Sequence, residues 1–190
     1  MTPSTGQNKK SVLSSAAMQS PFPVLILQHP QEPSKHLGTA HLIESIAGAT
    51  RKVGLSWASL SKALGTQTPP KGWVVLYLGS APTKDQPAGL YTVHNIIDLY
   101  PYQDPPRGIV LLDGTWSQSK TLWWRNPWLL KLIRCVVVPE ARSLYKSLRK
   151  EPRPECLSTL EALASTYKFL GHTEIAESLM QSFSNLLRTK

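Results

Sequence analysis

The run Gly108-Ile109-Val110-Leu111-Leu112-Asp113-Gly114-Thr115-Trp116 ends four apolar residues in a carboxylate, a glycine, a hydroxyl and an indole. A buried strand of this kind delivers its acid to the C-terminal edge of a sheet, which is where open α/β sheets bind ligands. Partial desolvation raises the affinity of such a carboxylate for a proton, unless a cation or backbone amides offset it. That suits a general base. A structural role is the alternative: Asp113 caps a helix beginning near Ser117, or accepts turn amides through Gly114. Spacing leaves both open.

Three further groups of residues carry chemical potential. Trp116, Trp123, Trp124 and Trp128 are four of the six tryptophans. From Arg107 to Arg153 there are ten Lys or Arg and three acids, Asp113, Glu140 and Glu151. Aromatics interleaved with cations suit an extruded base and its phosphates. Two adjacent helical residues cannot both face outward, so Trp123 or Trp124 is expected in the core. The segment Tyr145 to Pro154 holds Lys146, Arg149, Lys150, Arg153 and two prolines, which reads as a rigid positive loop able to capture phosphate or carboxylate. Ser158-Thr159-Leu160-Glu161 has capping-box spacing. The helix start it marks presents free amides to a small anionic ligand, or is simply capped by Glu161.

Other chemistries find no support. The five histidines form no metal or triad pattern, although His29 before Pro30 stands at a strand end. Cys135 and Cys156 make neither a disulfide framework nor a zinc site. Cys135, inside Arg134-Cys135-Val136-Val137-Val138, reads as a small buried hydrophobe. No Walker sequence, nucleophile elbow or dinucleotide fingerprint is present.

The positioning elements follow from periodicity. Strands are expected at Val24–Leu27, Val53–Trp57, Trp73–Leu78, Ile109–Leu112 and Cys135–Val138, with Ile96–Leu99 ambiguous. Helices are expected over about 34–48, at Ser59–Leu64, Ser117–Trp124 and Ser158–Leu170, and from Thr173 to Leu187. Strands alternating with helices predict an α/β fold with a mostly parallel sheet and flanking helices. The chain has 190 residues, 41% of them hydrophobic, enough for one cored domain. Residues 1–21 read as a flexible leader and 22–190 as the domain. The net charge of +9 points to a polyanionic partner. No apolar stretch is long enough to span a bilayer, and a reducing cytoplasm fits the cysteine usage.

Taken together, the motifs resemble the DTW-domain family. Its naming tripeptide stands here as Asp113, then Thr115 and Trp116 after an intervening Gly. Leu27-Gln28-His29-Pro30-Gln31-Glu32, Ser117-Gln118-Ser119-Lys120, Arg149-Lys150-Glu151-Pro152 and Leu157-Ser158-Thr159-Leu160-Glu161-Ala162 complete the set, ordered across about residues 22 to 188. The resemblance implies a SPOUT-like fold with a C-terminal trefoil knot. It implies a tRNA-uridine aminocarboxypropyltransferase that uses S-adenosylmethionine as co-substrate, needs no metal, and works on tRNA as a monomer rather than a dimer. On that reading Asp113 takes the N3 proton of uridine or orients the ring. Trp116 stacks on uracil or walls the adenosine. Leu112, Thr115 and the amides from Leu157 through Ser158, Thr159 and Leu160 hold the cofactor. Arg149, Lys150 and Arg153 meet its carboxylate or the RNA backbone. Many family members carry an N-terminal cysteine cluster that this sequence lacks. A SPOUT-type RNA methyltransferase and a non-catalytic RNA-binding relative are the alternatives.

Overall fold

The structure, a computed structural model, describes residues 20–32, 38–76, 87–92, 105–140, 143–144 and 157–189. Among the described residues six strands form one sheet: β1 (Val24–Gln28), β2 (Thr50–Val53), β3 (Trp73–Leu76), β4 (Gly89–Thr92), β5 (Gly108–Asp113) and β6 (Ile133–Val138). Their order is β2-β1-β5-β3-β6-β4. Every neighbouring pair is parallel except β4 against β6. The helices are α1 (Ala40–Ala47), α2 (Leu60–Leu64), α3 (Trp116–Arg125), α4 (Thr159–Phe169) and α5 (Thr173–Arg188), with a 3-10 turn at Pro127–Lys131. The expected α/β architecture with a mostly parallel sheet is what the chain forms.

Successive strand residues point to opposite faces, and this alternation divides the core in two. Val24, Ile26, Val74, Leu76, Ile109 and Leu111 pack on one side against residues of α1, α4 and α5. Leu25, Leu27, Val75, Val110 and Leu112 pack on the other against α2, α3 and the 3-10 turn. Because helices cover both faces, β1 and β5 are buried at every position. That explains why their sequences are continuous apolar runs rather than alternating ones. Trp123 joins the second core, and its neighbour Trp124 projects into solvent. Cys135 is buried in the first core, and burial pushes its thiol up to about 12, so it is inert as a nucleophile.

Some elements differ from expectation. The second strand is Thr50–Val53, not Val53–Trp57. Its polar side chains are half-exposed at the sheet edge, so it carries no apolar run to betray it. The short edge strand β4 begins at Gly89, the last residue of a stretch from Gly79 whose Pro, Lys, Asp and Gly content reads as a loop. Helix α1 begins at Ala40, and the expected helical residues 34–37 lie outside the described residues. So do Tyr77 and Leu78 of the third strand, Ile96–Leu99 and residues 1–19 of the expected leader. Helix α3 starts one residue early, at Trp116, because Thr115 supplies its cap.

Gly108 is required by packing. It faces Trp73 across the β3–β5 ladder, and a Cβ there would lie 2.5 Å from the indole. Trp73 is buried, so its ring has nowhere to retreat. Gly108→Ala should lower unfolding stability by about 1–3 kcal/mol, the usual cost of overpacking. Urea denaturation followed by tryptophan fluorescence checks this; an unchanged midpoint would contradict the close approach.

Candidate active site at the rim of the sheet

Gln28 and Asp113 are register partners at the C-terminal ends of β1 and β5. Parity places both side chains on the face covered by α1, α4 and α5, in line with Ile26 and Leu111. The Asp113 carboxylate is only 4% exposed. Gln28 Nε2 donates to its Oδ2 at 2.7 Å, and the Thr159 hydroxyl donates to its Oδ1 at 2.7 Å. Both bonds favour the ionised form. Gln28 Oε1 accepts from Arg51 Nη1 at 3.3 Å, and Arg51 Nε lies 2.9 Å from Glu44 of α1. Since Arg51 can only donate, the Gln28 amide has one orientation, with its NH2 towards Asp113. The result is a chain of polar contacts from α1 through β2, β1 and β5 to α4.

The backbone of the same residues fixes the loops around the rim. His29 N–H donates to the Asp113 carbonyl at 3.0 Å. Thr115 and Gln118 form a capping box at the start of α3, and Gln118 Nε2 reaches Gln31 Oε1 at 3.2 Å. Gly114 lies between these pieces. A Cβ there would stand 2.8 Å from Gln118 Cβ and 3.4 Å from His29 Cβ. Helix α4 begins at the same rim with its own capping box, Ser158 with Glu161. Buried Glu161 does more than cap: its Oε2 also accepts from the Ser143 hydroxyl at 2.8 Å, and its Oε1 accepts from the Leu144 N–H.

The structure therefore brings Leu112, Asp113, Thr115, Trp116, Leu157, Ser158, Thr159 and Leu160 to the C-terminal ends of β1 and β5, but on different sides. Leu112 packs in the α2/α3 core, and Leu160 packs in the α4/α5 core. Neither side chain is at a surface, so any ligand contact from Leu160 is through its amide. Trp116 is half-buried at the first position of α3, in line with Ser119 and Trp123 on the α3 side of the sheet, whereas Asp113 points to the α4 side. The alternative in which Asp113 caps a helix near Ser117 is not what forms: Thr115 caps α3, and Asp113 reaches across to α4. Arg149, Lys150 and Arg153 lie outside the described residues. His29 is half-buried, and its Nδ1 accepts from the Gln31 N–H at 3.3 Å. Among the described residues no group of three or more His, Cys, Asp or Glu could hold a metal, and no helix is long and apolar enough to cross a membrane.

Gln28 and Arg51 are the site residues that sequence reading missed. Gln28 had a usable signal, since a polar side chain closes an otherwise apolar strand just as Asp113 does. Arg51 had none, because only the pairing of β2 with β1 brings it to Gln28.

Residues 8–189 match the DTW domain, and the chain belongs to that family. Over 166 residues it is 30% identical to tRNA-uridine aminocarboxypropyltransferase 2 of Mus musculus, a match that covers 85% of this chain and 52% of that protein. It is 27% identical over 181 residues to the protein of the same name from Drosophila melanogaster, covering 87% of this chain and 63% of that one. The chain thus spans about half the length of the mouse relative and under two thirds of the fly one. No solved structure gives a significant match.

Thr159→Val keeps the shape of the side chain and removes its donor. It should cost about 1–3 kcal/mol of stability by leaving a buried carboxylate short of one hydrogen bond, and Thr159→Ser should restore most of it. Chemical denaturation of both variants is the check; equal stability of the Val variant and the parent would show that this hydrogen bond contributes nothing.

Proposed function

We propose that this domain transfers the 3-amino-3-carboxypropyl group of S-adenosylmethionine to N3 of a uridine in tRNA and releases methylthioadenosine. The observation that carries the reading is the Asp113 carboxylate, held at the end of β5 by Thr159 from the first turn of α4. The names of the relatives supply the reaction class.

The rim suits the co-substrate. The amides at the first two positions of α4, those of Thr159 and Leu160, have no acceptor within their own helix. They form the kind of terminus that takes a carboxylate, here that of the aminocarboxypropyl arm. Leu157 and Thr159 are half-buried and border it, and Thr115 is exposed across the rim. S-adenosylmethionine brings a carbon already activated by the positive sulfur, so the protein has to orient it and deprotonate the nucleophile.

Thr159 is more accessible than Asp113, and this suggests the path of the proton. The hydroxyl gives its proton to Asp113 Oδ1 as it takes one from uridine N3. The freed N3 pair then forms a bond to the carbon beside sulfur, the C–S bond breaks, and its electrons leave on methylthioadenosine. Gln28, oriented by Arg51, keeps the carboxylate in line with Thr159. Trp116 stacks on the uracil or walls the adenosine from the α3 side. Arg149, Lys150 and Arg153 meet the RNA backbone or the arm's carboxylate. The family's C-terminal trefoil knot belongs to the same proposal, supported by the return of the chain from β6 past β3 to the rim of β5, two strands inward. So do the cytoplasmic setting and the monomeric state.

Asp113→Asn should retain S-adenosylmethionine binding in calorimetry and lose transfer by about 10²–10⁴-fold, the range for a lost general base. Full activity in that variant would remove Asp113 from the reaction. Mass spectrometry of the by-product tests the reaction type. Methylthioadenosine is expected; S-adenosylhomocysteine would replace the reading with methyl transfer, and RNA affinity without any cofactor binding would replace it with a non-catalytic role.

Replacing Arg149 and Lys150 together with Ala should weaken tRNA binding and reduce the steepness of its salt dependence, by roughly 0.7–0.9 in slope for each phosphate no longer neutralised. Filter binding across a salt series measures both. Unchanged affinity and slope would return the segment to an ordinary solvated surface.

A further inference from the structure

The outer face of α3 has no role in the site described above, yet it starts there. Ser117, Lys120, Thr121 and Trp124 recur at helical spacing on the side away from the core, while Ser119, Leu122 and Trp123 are buried. Trp124 is 78% exposed and Trp123 only 8%. Lys120 and Arg125 are exposed beside it. From Gly114 to Pro139 the sequence has four cations, Lys120, Arg125, Lys131 and Arg134, and no acid. Neither Lys120 nor Arg125 is tied up in an ion pair among the described residues.

The helix end that carries Trp124 is rigid. Asn126 is fully buried. Its Nδ2 donates to the carbonyls of Leu122 at 2.7 Å and Leu55 at 2.9 Å, and its Oδ1 accepts from Trp57 N–H at 2.8 Å and Trp128 Nε1 at 3.2 Å. The Ser56 hydroxyl donates to the Arg125 carbonyl at 2.8 Å. A large flat side chain on a fixed corner loses little freedom when something stacks on it.

We propose that Lys120, Trp124 and Arg125 form a platform for single-stranded RNA next to the target nucleotide. A base stacks on the Trp124 indole, and flanking phosphates meet Lys120 and Arg125. Trp124 lies eight residues from Trp116, about 12 Å along the helix, so the platform extends the rim site along α3. This rests on the RNA-directed reading above. Charge favours RNA over a second copy of the chain, because a two-fold contact would set this cationic face against itself.

The test is the affinity of the full chain for a labelled single-stranded oligouridine by fluorescence anisotropy. Trp124→Ala should weaken binding about 5–150-fold, the range for loss of one base stack, with circular dichroism and S-adenosylmethionine binding unchanged. Trp124→Phe should recover most of the affinity. Unchanged oligouridine affinity in Trp124→Ala overturns the platform, whatever the transfer activity. So does sedimentation showing a wild-type dimer that Trp124→Ala dissociates with RNA affinity intact. A wild type that binds no oligouridine and no tRNA overturns it as well. RNA binding through Trp124 with no methylthioadenosine produced upholds the platform and removes the transferase reading instead.

Discussion

A carboxylate withdrawn from water costs several kcal/mol unless its oxygens are met by donors, and the rim of this sheet is organised around meeting that requirement at Asp113. Gln28 comes from the neighbouring strand and Thr159 from a helix that begins 46 residues later in the chain. Neither hydrogen bond arises without the other parts in place. β1 must pair in register with β5 for Gln28 to stand beside Asp113, and α4 must return from beyond β6 for its first hydroxyl to arrive. The acid thus joins the first strand, the central strand and the C-terminal helices.

The residues that follow Asp113 divide the work. Gly114 admits Gln118 to a distance that a side chain would forbid, with His29 in ordinary contact on the other side. Thr115 then caps α3, and Trp116 opens it. In one short run the chain ends a strand, fixes a helix on the opposite face, and leaves a carboxylate pointing to the other face. Two helix starts consequently converge on one rim from the two sides of the sheet, α3 near Thr115 and α4 near Ser158. Their dipoles add positive character at that rim. Glu161 secures the second of these starts, joining its capping role to contacts with Ser143 and Leu144.

The two tryptophans side by side on α3 show how far local reasoning goes. Helical geometry requires that Trp123 and Trp124 diverge, and that much needs no structure. Which of them enters the core depends on where the helix begins. Thr115 sets that start, and Trp123 falls over the apolar face of β1, β3 and β5 while Trp124 turns away. The edge strands leave the weakest trace in the sequence. β2 is Thr-Arg-Lys-Val and β4 is Gly-Leu-Tyr-Thr. Each is short, at or near a sheet margin, and defined by the neighbour it pairs with rather than by its own composition.

What the sequence determined on its own was everything set by period and local bonding. Continuous apolar runs mark strands buried on both faces, and Ser158-Thr159-Leu160-Glu161 declares a helix start. An acid at the end of the central run is placed at a sheet edge. These depend on residues within a few positions of each other, so they survive in one dimension. The tertiary structure alone decided which groups face Asp113. Gln28, Thr159 and, through Gln28, Arg51 and Glu44 come from four separate elements. Their approach is set by strand order and helix return, which no spacing along the chain encodes.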